Sequence, residues 1–212
     1  MKKVICILLS LLMSVSVAFA TDSEFDAKLD ELMKFKIVEG DENGNLNLES
    51  EVTRAEMAKI IMTALGNGNI GTFDTVFDDV KSTYWASGYI DMAQKFGIIH
   101  GMGDGTFLPE NPVTNEQAVK MIICALGYEP LCLSRGVYPY SYMQIASTHG
   151  LLEDLNLLGS ANAKRSDIFI LIHNALDMPL MKQTGFGANM EYTLMSGQNG
   201  IELQTLRTLN FE

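Results

Sequence analysis

A segment of this chain occurs twice without a gap. Val52 to Gly66 (VTRAEMAKIIMTALG) aligns on Val113 to Gly127 (VTNEQAVKMIICALG), 61 residues further on. The register extends upstream, where Ile37-Val38-Glu39-Gly40 meets Ile98-Ile99-His100-Gly101. A more worn third copy, Lys164 to Leu176, follows the second by 50 residues, and its leading half, Tyr142 to Leu152, follows Tyr89 to Ile99 by 53. The change from 53 to 50 removes three residues from the third copy's middle loop. A period of this size constrains the fold strongly, because one short unit cannot bury its apolar face alone and must share a core with its neighbours.

The repeated segment reads as a helix with defined ends. Apolar residues fall at Met57, Ile60, Ile61, Ala64 and Leu65, at Ala118, Met121, Ile122, Ala125 and Leu126, and at Ile168, Leu171, Ile172, Ala175 and Leu176. This i, i+3, i+4, i+7, i+8 spacing gives one buried stripe per helix. Thr53 with Glu56, and Thr114 with Gln117, fit a capping box, in which hydroxyl and N3 side chain satisfy each other's free backbone N–H groups. Gly66 and Gly127 fit a left-handed stop after the last turn. The third copy has Lys164 at the cap, so its start should be weaker, or capped by Asn162 or Ser166. Each copy also has a preceding helix, at Phe25 to Phe35, Ala86 to Phe96 and the Tyr142 stretch. The Gly101 to Pro112 connection is too rich in Gly and Pro to be helical. The expected fold is mainly α: three tandem helix-loop-helix repeats clustered into a pseudo-threefold module, with a short C-terminal extension of β character.

The first 20 residues stand apart. Lys2 and Lys3 precede an apolar run, and Ala18 and Ala20 supply small residues at positions −3 and −1 of a cleavage site. That is the layout of a secretory signal peptide. The run is broken by serines and is short for a span, which needs about 20 apolar residues. No second long apolar stretch follows, so no membrane span is expected in the mature chain. Removing residues 1–20 takes the net charge from −11 to −13. Nucleic acid is excluded as a partner, since its binders carry a basic patch or stripe. Cys124 and Cys132 show no metal-type spacing and read as unpaired.

Catalytic and metal motifs fail one by one. Asp41, Asn43 and Asn45 begin like a calcium loop, but Leu46 and Val52 stand where Gly and a bidentate Glu are needed. Gly101 to Gly105 lacks the Gly-Lys-Ser/Thr ending of a phosphate loop. His100, His149 and His173 are scattered, and carboxylate pairs such as Asp78 and Asp79 read as solvated surface. No enzyme activity, cofactor or metal is expected.

With those residues in view, the repeat resembles the S-layer homology domain. The resemblance rests on Phe77-Asp78-Asp79-Val80, Trp85-Ala86, Gly97 to Gly101, Gly103-Asp104-Gly105-Thr106-Phe107-Leu108-Pro109, Val113-Thr114, and the Thr53-Arg54-Ala55-Glu56 signature of the first copy. It implies a secreted protein of the cell wall or surface layer. It also implies three repeats, at 21–72, 73–127 and 128–178, that bind secondary cell-wall polysaccharide, often pyruvylated, or a peptidoglycan-linked polymer, in grooves between neighbouring repeats. The polysaccharide-binding role falls on Arg54, Arg165, Trp85, Gly103, Asp104 and Thr114. A guanidinium at a helix start suits a carboxylate ligand, and Trp85 suits a sugar face. The first copy has Glu24 at the Trp position, the second Asn115 at the Arg position, and the third Tyr138 for Trp and Lys164 for Thr. Two other readings stay open: a surface-assembly protein that binds other proteins, and the anchor of an exported enzyme. If Arg54 serves only the ligand, Arg54→Ala should weaken wall binding and leave the thermal midpoint nearly unchanged.

From Pro179 the character changes. Lys182 to Asn189 reads as a linker. Tyr192 to Met195 and Ile201 to Leu206 read as short strands about a turn, and 179–212 as the start of a further domain.

Overall fold

The structure, a computed structural model, describes residues 23–184, 191–197, 200 and 202–211. The expected signal peptide, residues 1–20, lies outside the described residues. A first helix, α1, spans residues 23–34. It is followed by α2 (Arg54–Ala64), α3 (Ser87–Lys95), α4 (Asn115–Ala125), α5 (Glu129–Arg135), α6 (Tyr140–Thr148) and α7 (Arg165–Asp177). β1 (Met181–Thr184) and β2 (Glu191–Leu194) form an antiparallel pair, and α8 (Leu206–Asn210) ends the described chain. The protein is mainly helical, and among the described residues no helix is long and apolar enough to cross a membrane.

The helix ends are made by the residues that announced them. The Thr53 hydroxyl accepts the Glu56 N–H at 3.2 Å, and the Glu56 carboxylate accepts the Thr53 N–H at 2.9 Å. Thr114 and Gln117 do the same for α4 at 3.3 and 3.1 Å. α7 begins at Lys164 with no side-chain cap. Asn162 does not replace it, because its amide donates to Glu51 instead. After α4, Gly127 takes φ +84°, and a Cβ there would stand 2.2 Å from the Met181 carbonyl oxygen, so the position requires glycine.

The three stripes enter one core, with Leu65 and Ala125 half-buried at its edge. The opposite faces of α2 and α4 are also covered: Ala55, Ala58, Met62, Val119 and Ile123 are buried. The reason is that α2, α4 and α7 pack on one another, while α3 packs on α2 and α6 on α4. Helix α5 went unforeseen; Pro130 in its first turn is compatible with a helix start. Its Cys132 is buried, and Cys124 and Cys132 are free thiols.

The starts of the three central helices are joined by backbone hydrogen bonds that close a ring. The Val52 N–H donates to the Ala163 carbonyl (3.0 Å), the Ala163 N–H to Val113 (2.9 Å), and the Val113 N–H to Val52 (2.9 Å). Outside the ring the bonding runs in the opposite sense. Arg54 and Ala55 donate to Asn111 and Pro109, Asn115 and Glu116 to Ala161 and Gly159, and Arg165 and Ser166 to Ser50 and Leu48. Helix starts leave free N–H groups that need partners. Here the loop before another central helix supplies them.

The C-terminal segment departs from expectation. Strand 191–194 forms, but its partner is Met181–Thr184, which had been read as linker. Ile201 lies outside the described residues. Leu203 makes one bridge to Ser196, and the chain then enters α8, capped by Thr205 and Thr208. Burial of Leu180 and Leu206 explains the change, since it draws both flanks of the segment onto the helical body. The Met181 N–H donates to the Leu126 carbonyl, and the Tyr128 hydroxyl to the Pro179 carbonyl. Phe211 stacks on Phe35 at 4.5 Å. Arg207 donates twice to Asp177, at 2.6 and 2.8 Å, and once to Glu31, whose other oxygen meets His173 at 2.8 Å.

This cluster gives a pH prediction. Burial pushes Glu31 up, but Arg207 and His173 outweigh it and hold the carboxyl below its ordinary value. Hydrogen bonding to Arg207 lowers Asp177 against the effect of burial. Folded values below unfolded ones mean that the contribution is complete above the ordinary carboxylate range, about pH 5, and is lost as pH falls through the lowered folded values. Amide exchange in 202–211 should therefore accelerate in acid before the central helices loosen. Arg207→Ala should give the same local acceleration at neutral pH.

Candidate functional site: a groove beside Arg54

Arg54 is the first residue of α2, and its side chain turns inward to 9 % exposure. Its Nε donates to the Phe107 carbonyl at 2.7 Å and its Nη2 to the His100 carbonyl at 3.0 Å. The guanidinium lies 4.3 Å from the centroid of the buried Phe107 ring. Burial lowers its pKa, partly offset by the charge of Asp79. Asp79 grips the same loop, accepting the Phe107 N–H at 2.8 Å and the Leu108 N–H at 2.7 Å. Leu108 stands at φ +57°, a conformation that costs an L-residue on the order of 1 kcal/mol. Asp79 is exposed, as its sequence position suggested, but it is also a clamp on this loop.

The first residues of the other two central helices act alike. Arg165 Nε donates to the Leu46 carbonyl at 2.9 Å, and Asn115 Nδ2 to the Leu158 carbonyl at 2.9 Å. They differ in what remains. Arg165 Nη1 is spent on Glu56 at 3.2 Å. Asn115 leaves a buried Oδ1 without a partner.

Gly103 and Asp104 shape a turn. Gly103 takes φ +92°, and Asp104 Oδ1 accepts the Thr106 N–H at 3.0 Å and hydroxyl at 2.7 Å. Those bonds hold the Asp104 carboxyl below its ordinary value. The failed calcium loop uses the same device, with Asp41 Oδ1 accepting the Asn43 and Asn45 N–H groups. Among the described residues no cluster could hold a metal. Trp85 is 48 % exposed and tilts against Tyr84, with the rings 5.7 Å apart.

A groove of about 190 Å³ opens beside Arg54, lined by Arg54, His100, Met102, Gln117, Lys120 and Tyr138 over an apolar floor. No carboxylate lines it. Lys120 Nζ lies 5.5 Å from the Tyr138 and Tyr142 ring centroids. Gln117 Oε1 is occupied by the Thr114 N–H, which leaves its amide N–H₂ for the groove. A larger cavity, about 570 Å³, is lined by Glu24, Lys28, Glu49, Asp154, Asp167 and Ile170 among others. Its lysine is paired with Asp154 and Glu24, so it offers an anion no free cation.

Of the six residues singled out from sequence, only Arg54 lines the groove. Thr114 caps the helix that carries Gln117 and Lys120, and Gly103 and Asp104 shape the loop beside Met102. Arg165 and Trp85 do not line it. Gln117, Lys120 and Tyr138 were not singled out. Tyr138 carried a signal, since it occupies the frame position of Trp85, 53 residues on.

Comparison with known proteins bears on this groove. Residues 76–119 match the S-layer homology domain. The chain carries that domain. The S-layer homology domain includes Asp79, Trp85, α3, the 98–112 loop and the first turn of α4 with Gln117, and so supplies much of the groove wall. The chain is 34 % identical over 176 residues to the middle cell wall protein of Brevibacillus brevis, covering 82 % of this chain and 16 % of that protein. It is 33 % identical over 207 residues to the surface layer protein of Brevibacillus choshinensis, covering 90 % of this chain and 18 % of that protein. It is 35 % identical over 91 residues to an uncharacterised cell wall amidase of Bacillus anthracis, covering 42 % of this chain and 17 % of that protein. The chain therefore spans less than a fifth of these relatives.

The burial of Arg54 changes the expected cost of removing it. Arg54→Ala should strand the buried Phe107 carbonyl, free the His100 carbonyl and leave a void over Phe107. It should lower stability by about 2–4 kcal/mol in denaturant unfolding. Arg54→Lys should recover little, because an ammonium lacks the planar fork.

Proposed function

We propose that this chain anchors an exported protein to the cell wall without a covalent bond, by holding an anionic cell-wall polysaccharide in the Arg54 groove. The carrying observation is the polar lining: Arg54, Gln117 and Lys120 present donors, and no carboxylate lines the groove. The S-layer homology domain match and the cell-wall and surface-layer relatives support the anchoring role. In this reading the module has three repeats, at 21–72, 73–127 and 128–178, about a pseudo-threefold axis. The closed ring through Val52, Val113 and Ala163 favours that arrangement. Lys120 and Arg54 bind an acidic group such as a pyruvate ketal, and Tyr138 packs on the sugar. The chain's acidity opposes a polyanion at long range, a repulsion that physiological salt screens beyond about 8 Å.

A second reading, the anchor of an exported enzyme, is favoured by the amidase relative and uses the same groove. Retention on purified cell-wall sacculi, before and after the secondary polymer is stripped, tests both. Stripping should abolish retention. Undiminished retention on stripped walls would show that the polymer is not the partner.

A further inference from the structure

Each central helix carries a different residue at its third position: Glu56 in α2, Gln117 in α4 and Asp167 in α7. In α2 and α4 that position faces the arginine delivered by the start of another central helix. Beside α2, Glu56 holds Arg165 in an ion pair, with side chains only 16 % and 36 % exposed. Beside α7, Asp167 lines a cavity with Glu24, Glu49 and Asp154, and the arginine position is Asn115. Beside α4 alone the residue is neutral, and there Arg54 and Lys120 meet no lining carboxylate.

We propose that the third residue of each central helix decides whether its groove admits an anion, so that this chain takes one anionic sugar, at Gln117, and not three. This rests on the reading above that the grooves hold an anionic wall polymer. Two physical effects support it. A carboxylate placed beside the ligand's acid repels it directly. It also captures the guanidinium that would otherwise face the ligand, as Glu56 captures Arg165. The capping function does not separate the positions, because Glu56 and Gln117 close the same box with Thr53 and Thr114. Selectivity and fold stability are therefore separable here.

The test compares wild type, Gln117→Glu and Glu56→Gln in binding to purified walls that retain their polymer, and in calorimetric titration with polysaccharide released from those walls. Gln117→Glu should bind about tenfold or more weakly, since it adds a like charge within a few ångströms of the ligand, with its unfolding midpoint unchanged. Glu56→Gln should release Arg165 and raise the sites per chain from one to two. Carboxyl-reduced walls lose wild-type binding if the group is a carboxylate, and walls with hydrolysed phosphodiesters lose it if it is a phosphate; retention on both overturns an anionic ligand. If wild type binds and Gln117→Glu binds equally well, the selectivity proposal is wrong and the anchoring reading stands. One site in Glu56→Gln would also count against the proposal. Failure of wild type to bind polymer-bearing walls overturns the anchoring reading, and the proposal with it.

Discussion

The closed ring of backbone hydrogen bonds through Val52, Val113 and Ala163 is the constraint on which the rest depends. Each of these residues is fully buried, so water cannot replace a lost bond. The ring holds the three central helix starts side by side. It also sets the loop before each helix against the first turn of another, where carbonyls take up free N–H groups. A groove beside a helix start is a consequence of that geometry, because the first-turn side chains then point along the seam between two segments of chain.

In the proposed reading, Arg54 serves structure and recognition with one side chain. Two of its N–H groups hold the loop at His100 and Phe107, and the ring of Phe107 supports the guanidinium face. The remaining donors border the groove. A loop fixed from one side by Arg54 and from the other by Asp79 presents its lining in a defined position, which lowers the ordering cost of binding. With the neutral Gln117 in place, Arg54 and Lys120 meet no carboxylate in the groove lining. The neighbouring seams, with Glu56 or Asp167 in that place, are neutralised or acidic.

Much of the helical framework was legible in sequence because it rests on local physics. The stripes, the two capping boxes and the Gly66 and Gly127 stops depend on spacings within one helix, and they appear as expected. Features that join distant segments were not legible. The Arg54 carbonyl bonds span 46 and 53 residues, and nothing near Arg54 in sequence separates such a clasp from a solvated first-turn side chain. Asp79 is a surface residue whose role as a clamp appears only when the loop 28 residues away comes within hydrogen-bonding reach. The strand partner of 191–194 was misassigned because an adjacent turn suggested a hairpin, whereas burial of Leu180 and Leu206 selects Met181–Thr184. Lys120 and Gln117 were hidden for the opposite reason: each has an ordinary local role, as exposed helix residue or cap, and gains significance only from its neighbours across the seam.

The central claim is that an anionic wall polymer seats in the one seam whose lining lacks a carboxylate. Backbone amide shifts of the isotope-labelled protein, followed as polysaccharide released from the wall is added, test it most directly. The account predicts saturable changes at Gly101, Met102, Gln117, Lys120 and Tyr138, with Asp154, Ser166 and Asp167 still. Changes centred on 154 and 166–170, or none between 98 and 120 at saturation, would contradict it.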